Sequence, residues 1–281
     1  MFLQTSLDVV IRRWLGEDIP SWDPHTMIYN QDSEVNAKIV AKQEGIISGI
    51  QVLTRIFELG KVKLSTTIKD CDKIKSGMTI CELVGNPTSI LQLERTALNI
   101  FTHMSGIATM TSRMIKIVKN SGSKIIIAGT RKTLPGLRKY QKYAIVCGGG
   151  DTHRMSLESM IMLKENHLSQ FNSISEAIKY YKKRSSFSLK MEIEVRSLSE
   201  ALEAADGGVD IIMLDNFDFS QLDKTISKIK EINKRVLIEI SGGISLDNIR
   251  DYLSYPIDII SSGALTHSSR VFDASLLFDN L

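Results

Sequence analysis

From about residue 122 onward, short apolar runs alternate with amphipathic helical patterns to the end of the chain, and this alternation constrains the fold more than any other feature. The seven runs fall at 124–128, 143–147, 159–163, 190–195, 210–214, 236–240 and 257–261. Helical stretches separate the later ones. Residues 197–205 carry Leu198, Ala201, Leu202 and Ala205 on one stripe, and 219–234 carry Leu222, Ile226, Ile229 and Ile232 at helical spacing. A third covers 173–183, and a Ser-Leu-Asp-Asn start signal opens a fourth over 245–253. Strand–helix alternation builds a parallel sheet, since a parallel neighbour is reached only through a crossover. Units of about 20–25 residues repeated in this way suit a closed or nearly closed β/α barrel. Seven runs in about 160 residues is compact beside the roughly 250 of a full eight-unit barrel, so the expectation is a reduced one. An open doubly wound sheet is the competitor. No G-x-G-x-x-G stands after a strand, which weakens its dinucleotide-binding version.

The first third has another rhythm. Residues 1–16 read as an amphipathic helix, broken at Ile19-Pro20-Ser21-Trp22-Asp23-Pro24. Residues 37–43 and 61–70 alternate as strands, with a helix expected over 44–60 between them. Turn chemistry at Lys75-Ser76-Gly77 and a short strand follow, which makes a small α+β unit. Residues 89–119 turn helical with an interruption at Ser105-Gly106, as expected of two linking helices. The 281 residues thus divide near residue 105. Lys plus Arg is 35 and Asp plus Glu 32, and a net charge of +3 gives no support to a polybasic nucleic-acid binder. No apolar run approaches a membrane span. Cys71, Cys81 and Cys147 match neither a disulfide framework nor a zinc motif, and the N-terminus lacks signal-peptide grammar, so a cytoplasmic protein is expected.

Polar residues recur where these runs end. Thr130-Arg131-Lys132 follows the first, and Cys147-Gly148-Gly149-Gly150 with His153-Arg154 the second. Lys164, Glu194 and Asp215 end the next three, and Ser241-Gly242-Gly243 and Ser262-Gly263 the last two. In a β/α barrel those ends open on one face, where active sites are built. Arg131, Lys132, Arg154 and Lys164 would converge there as cations suited to carboxylate or phosphate. Among so many cations, Glu194 and Asp215 suit Mg²⁺, held directly or through water. The Gly-rich ends precede helices and could cradle a phosphate on backbone N–H groups. The sum is a phosphorylated, Mg²⁺-bound substrate and a second anionic partner. Each residue has a plainer reading: Glu194 alternating outward on an edge strand, Asp215-Asn216 capping a helix, Lys164 solvated, His153 a satisfied core histidine. The shared location carries the inference.

The motifs resemble those of the quinolinate phosphoribosyltransferase family, the decarboxylating nicotinate-nucleotide pyrophosphorylases. The resemblance rests on Thr130-Arg131-Lys132-Thr133-Leu134-Pro135-Gly136-Leu137-Arg138, Cys147-Gly148-Gly149-Gly150 with His153-Arg154, Leu163-Lys164 with Asn166-His167, and Glu192-Ile193-Glu194-Val195. It continues through Leu214-Asp215-Asn216, Ser241-Gly242-Gly243-Ile244 and Gly263-Ala264-Leu265-Thr266-His267, with Glu94-Arg95-Thr96-Ala97-Leu98-Asn99 upstream. It implies an N-terminal α/β sandwich over residues 1–105, joined by the tail at about 270–281, and a seven-stranded, incomplete TIM-like α/β barrel over 106–269. It implies that quinolinate and phosphoribosyl pyrophosphate condense to nicotinate mononucleotide, pyrophosphate and CO₂. Arg131, His153, Arg154 and Lys164 would surround the quinolinate carboxylates, with Lys132 and Lys164 on the pyrophosphate side. Glu194 and Asp215 would lie at Mg²⁺ and the ribose hydroxyls. Ser241, Gly242, Gly243, Ser262, Gly263, Ala264 and His267 would line the 5′-phosphate. Arg95 would complete the site of a partner subunit, implying a homodimer. Three positions depart from the family: Gly129 stands where an aspartate is usual, Thr152 where an asparagine is, and Ser159 where an acid is. These leave room for a paralogue acting on another acidic heterocycle, as in the type associated with molybdate transport, or for one that binds without turnover. A Schiff-base lyase with Lys164 as the amine suits the cation cluster less well.

Overall fold

The computed structural model describes residues 2, 4–27 and 33–279; Met1, Leu3, the stretch 28–32 and the last two positions of the tail lie outside it. Two compact units emerge. The first comprises Met1–Ser112, Val146–Gly148 and Ser269–Leu281, the second Arg113–Ile145 and Gly149–Ser268.

In the first unit, α1 (Gln4–Asp18) buries Leu7 and Ile11. There follow β1 (Val35–Ala41), β2 (Gly45–Ile46), α2 (Ile50–Leu59), β3 (Lys63–Ser65), β4 (Lys73–Ile74), β5 (Thr79–Gly85) and α3 (Pro87–Asn120). The helix expected from residue 44 starts only at Ile50. The N–H groups of Gly49 and Ile50 donate to Asp70 Oδ1 at 2.7 and 2.8 Å, so a carboxylate twenty residues downstream supplies the cap. The strand expected over 61–70 shortens to β3.

The break expected at Ser105-Gly106 is absent: α3 is one continuous helix. Gly106 serves close approach instead. A Cβ there would stand 2.2 Å from the carbonyl oxygen of Arg270, and Phe272 N donates to Thr102 O at 2.9 Å, so the C-terminal tail runs along this helix backbone to backbone.

The second unit contains β6 (Ile126–Ala128), α4 (Arg138–Cys147), β7 (Ile161–Leu163), α5 (Glu165–Leu168), α6 (Ile174–Arg184), β8 (Met191–Val195), α7 (Leu198–Asp206), β9 (Ile211–Asp215), α8 (Phe219–Ile232), β10 (Leu237–Ser241), β11 (Ile259–Ser261) and α9 (Ala264–His267). The final strand, β12 (Ala274–Phe278), returns to the first unit and pairs antiparallel with β1, in a sheet ordered β12-β1-β5-β3.

Among the described residues the parallel sheet has six strands, ordered β6-β11-β10-β9-β8-β7. The run at 143–147, expected as a strand, belongs to α4. Tyr140, Gln141, Lys142, Ala144, Ile145 and Cys147 are buried, while Lys139, Tyr143 and Val146 are not, a helical rhythm that a five-residue apolar window hides. What remains of a seventh strand is one residue, Asp151, bridged in parallel to Ala128 on the free side of β6.

The pairing registers sort the strand side chains into two sets. One set is uniformly apolar: Ile127, Ile260, Ile238, Ile240, Ile212, Leu214, Ile193 and Leu163, all buried. The other mixes Met162, Glu192, Glu194, Met213, Asp215, Glu239, Ser241 and Ser261. Its apolar members pack together, Met160, Met162, Ile211 and Met213 against Leu237. His153, beyond β6, contacts both Glu192 on β8 and Glu239 on β10, and Arg154 reaches Met162 on β7. A sheet whose far strands meet one loop must be curled on itself, so the mixed set is the inside of a barrel. Its seam, between Asp151 and β7, is spanned by side chains in place of a ladder.

Candidate active site

The C-terminal ends of the strands carry most of the residues singled out in the sequence. Lys164, just past β7, forms an ion pair with Glu194 on β8. β8 lies between β7 and β9 and all five of its residues are buried, so Glu194 is an interior residue and not an outward one on an edge. Asp215, closing β9, accepts from Asn216 Nδ2 at 2.9 Å. Asn216 takes a left-handed φ of 51° and its amide folds against Gly242, where a Cβ would stand 2.2 Å from Asn216 Oδ1. Gly242 and Gly243 themselves have φ of 106° and 61°, so the turn after Ser241 is built for glycine.

Lys132, Gly263 and His267 come together on the other side of the rim. A Cβ on Gly263 would lie 2.9 Å from His267 Nε2 and 3.1 Å from Lys132 Cδ. Thr266 Oγ1 donates to Lys132 O at 2.6 Å and Gln141 Nε2 to Thr266 O at 3.2 Å, fastening the 130–134 loop to α9. Thr130 Oγ1 accepts from Lys132 N within that loop. Ala264 opens α9. Ser262 is turned inward: its hydroxyl donates to Ile244 O at 2.6 Å and its N–H to Ala128 O, so its polar groups hold the fold and are not offered to the rim. Arg95 is an exposed residue of α3 in the first unit.

Arg131, His153 and Arg154 bring the charge inside. The Arg131 Nε–H is buried with no acceptor. Burial and the nearby Arg131 guanidinium both push Arg154 down, and Glu192 pulls it back. His153 sits at φ 52°, and its Nε2 lies 3.1 Å from Glu239 Oε2 and 3.4 Å from Glu192 Oε2. Burial alone would pull this imidazole down; the two carboxylates facing it, Glu239 in hydrogen bond and Glu192 in ion-pair contact, outweigh it and hold the value up at about 9. The Arg154 N lies 2.8 Å from Nδ1, and Nε2 faces the glutamates.

Four residues of this neighbourhood were not read from the sequence. Glu192 and Glu239 are fully buried on the inner face. Lys142, from α4, is fully buried and donates through Nζ to Thr152 O and to Arg154 O, the latter at 3.3 Å. Burial, then Arg138, push its value down to about 8. Arg196, paired with Glu165, feels both Glu194 and Asp215. Only Glu192 had a signal: two glutamates alternating in a strand that a parallel sheet buries on both faces.

The barrel also holds a cavity of about 340 Å³. Ile126, Leu237, Ile211 and Ile259, the first residues of their strands, line it together with His153 and Arg154, so it lies toward the end of the barrel opposite the rim.

A family model described as the C-terminal domain of quinolinate phosphoribosyl transferase matches residues 107–277, and one described as its N-terminal domain matches 23–105. A probable nicotinate-nucleotide pyrophosphorylase [carboxylating] of Archaeoglobus fulgidus is 40% identical over 245 residues, 86% of this chain and 94% of that one. The Homo sapiens nicotinate-nucleotide pyrophosphorylase [carboxylating] is 32% identical over 271 residues, 96% of this chain and 91% of that one. Among solved structures, NadC from Streptococcus pyogenes superposes with a TM-score of 0.92 at 36% identity, covering 100% of this chain and 99% of that one.

Proposed function

The chain belongs to the quinolinate phosphoribosyltransferase family, and from that premise we propose how its own residues carry out the reaction. The enzyme condenses quinolinate with phosphoribosyl pyrophosphate and, with loss of one carboxyl group, yields nicotinate mononucleotide, pyrophosphate and CO₂. The acid substrate lies against Arg131, His153 and Arg154, and Lys132 and Lys164 meet the pyrophosphate. The observation that carries this placement is Arg131: a buried guanidinium N–H without an acceptor, beside a second guanidinium already crowded by it. Leaving a charged donor unsatisfied costs several kcal/mol, on the order of what a substrate carboxylate would return.

Ser241, Gly242, Gly243, Gly263, Ala264 and His267 receive the ribosyl 5′-phosphate. Glycines at these turns let a phosphate approach the backbone, and His267 and Lys132 close over Gly263. As pyrophosphate leaves, positive charge grows on the ribose carbon, and Glu194 and Asp215 lie where a carboxylate can offset it. The pyridine nitrogen attacks that carbon. The quaternised ring then accepts the electrons released as the adjacent carboxylate departs as CO₂, and a proton takes its place.

Glu194 and Asp215 offer oxygen donors only, on adjacent strands and at an open rim, a set that fits a hard, partly hydrated Mg²⁺. They would hold it, and it would supply charge neutralisation for the pyrophosphate. A homodimer, with Arg95 completing the partner subunit's site, accounts for an exposed arginine in the family motif. Co-expressing Arg95→Ala with Arg154→Ala should then restore activity that neither variant has alone. Cysteines that match neither a disulfide framework nor a zinc motif support a place for the protein in the reducing cytoplasm. Purified protein given quinolinate, phosphoribosyl pyrophosphate and Mg²⁺ should release CO₂ and form nicotinate mononucleotide. Absence of both products sinks the reading.

A further inference from the structure

Beneath the rim, the loop that presents His153 and Arg154 is gripped from two sides by buried charged residues that touch no rim group. From α4, the Lys142 ammonium bonds Thr152 O and Arg154 O, the carbonyls that bracket His153. From the barrel floor, Glu239 and Glu192 face His153 Nε2 at 3.1 and 3.4 Å. Between these grips the His153 backbone holds a left-handed φ of 52°, a conformation that costs a non-glycine residue roughly 1 kcal/mol or more and persists only when its surroundings impose it. Arg154 follows directly, its N 2.8 Å from His153 Nδ1 and its guanidinium against Met162 Sδ at 3.0 Å.

The grip is expensive for a purely structural device. Both oxygens of Glu192 and one of Glu239 lack a hydrogen-bond partner, and Lys142 has no carboxylate within ion-pair distance among the described residues. Gly129 stands beside its ammonium, with a Cβ there 3.7 Å from Nζ, where a longer acidic residue would have met it. Fold stability alone would favour apolar side chains at such positions.

We propose that Lys142, Glu192 and Glu239 are positioning residues for the acid substrate: they fix the backbone and ring of His153 and so aim Arg154 at a carboxylate. None of the three touches substrate. The proposal rests on the function above, in that it takes the acid to be quinolinate.

The test is quinolinate affinity, by calorimetry and by KM, in Glu239→Leu, Glu239→Gln and Lys142→Met, each first checked for a single cooperative melting transition. Glu239→Leu and Lys142→Met should weaken quinolinate at least about tenfold, with KM for phosphoribosyl pyrophosphate within about twofold and kcat changed less than KM. Glu239→Gln keeps an oxygen that accepts from Nε2 and should recover most of the affinity. Should Glu239→Leu not fold, Lys142→Met, on a different element, decides alone. Folded variants that bind quinolinate like wild type, or that lose both substrates equally, overturn the proposal. Wild-type protein that binds quinolinate without turnover defeats the functional reading and leaves this one standing; wild-type protein that does not bind quinolinate defeats both.

Discussion

The rim of the barrel and the layer just inside it handle charge in opposite ways. At the rim, charges are matched, each pair with at least one partner open to water: Lys164 with Glu194, Arg196 with Glu165, Asp215 with the Asn216 amide. One step inward they are buried and mismatched. Lys142 rests on carbonyls, two glutamates share one imidazole, and Arg131 has a bare N–H. Solvent and arriving ligands can relieve the rim, because an exposed pair contributes little and re-forms easily. The inner layer has neither relief, so its charges persist only where geometry holds them. The difference assigns the rim to binding phosphates that come and go, and the inner layer to a fixed cationic grip on a rigid acid.

Arg154→Ala should break the inner layer most severely. Removing a desolvated partner of a carboxylate costs roughly 3–4 kcal/mol, so kcat/KM for quinolinate should fall about 100- to 1,000-fold while the melting temperature stays nearly unchanged. A fall under about tenfold would move the acid away from this guanidinium.

A smaller effect is expected at the rim from Gly263→Ala. The backbone there, at φ −69°, accepts alanine, but the methyl displaces the ends of Lys132 and His267. KM for phosphoribosyl pyrophosphate should rise about tenfold, with quinolinate affinity within about twofold. Equal losses for both substrates would mean that rim and interior are not separable.

How much of this was legible in the sequence follows the same division. Lys164, Glu194, Asp215 and the Ser241-Gly242-Gly243 turn announce themselves because polar or glycine residues end apolar runs. Lys142 does not. It sits in Arg138–Cys147, just before the five residues that read as a strand, and only the helix turns its stem toward the Thr152 and Arg154 carbonyls. Glu239 is equally hidden, since the sequence does not reveal that His153, 86 positions away, closes over it. Gly106 misleads in the other direction: read as a helix break, it is a groove for the returning tail. Local pattern shows where a chain can open to ligand. Which buried charges face one another depends on curling the sheet, a long-range property that no window contains.

The smallest expected effect concerns stability and separates Lys142 from its neighbours. In the unfolded chain this lysine keeps its proton to its ordinary value of 10.5, and in the folded protein only to about 8. Below pH 8 both states are protonated, and the buried charge counts fully against folding. Between pH 8 and 10.5 the unfolded chain binds more protons, so Lys142's contribution to stability improves as pH rises. His153 runs the other way: held up at about 9, it lends stability that is complete below its ordinary 6.5 and is lost as pH climbs through 9. Present in both chains, it cancels when wild type is set against Lys142→Met. The difference in urea midpoint, wild type minus variant, should therefore climb between pH 8 and 10. A flat difference would mean that the Lys142 ammonium is solvated after all, and the inner layer would lose the feature that distinguishes it from the rim.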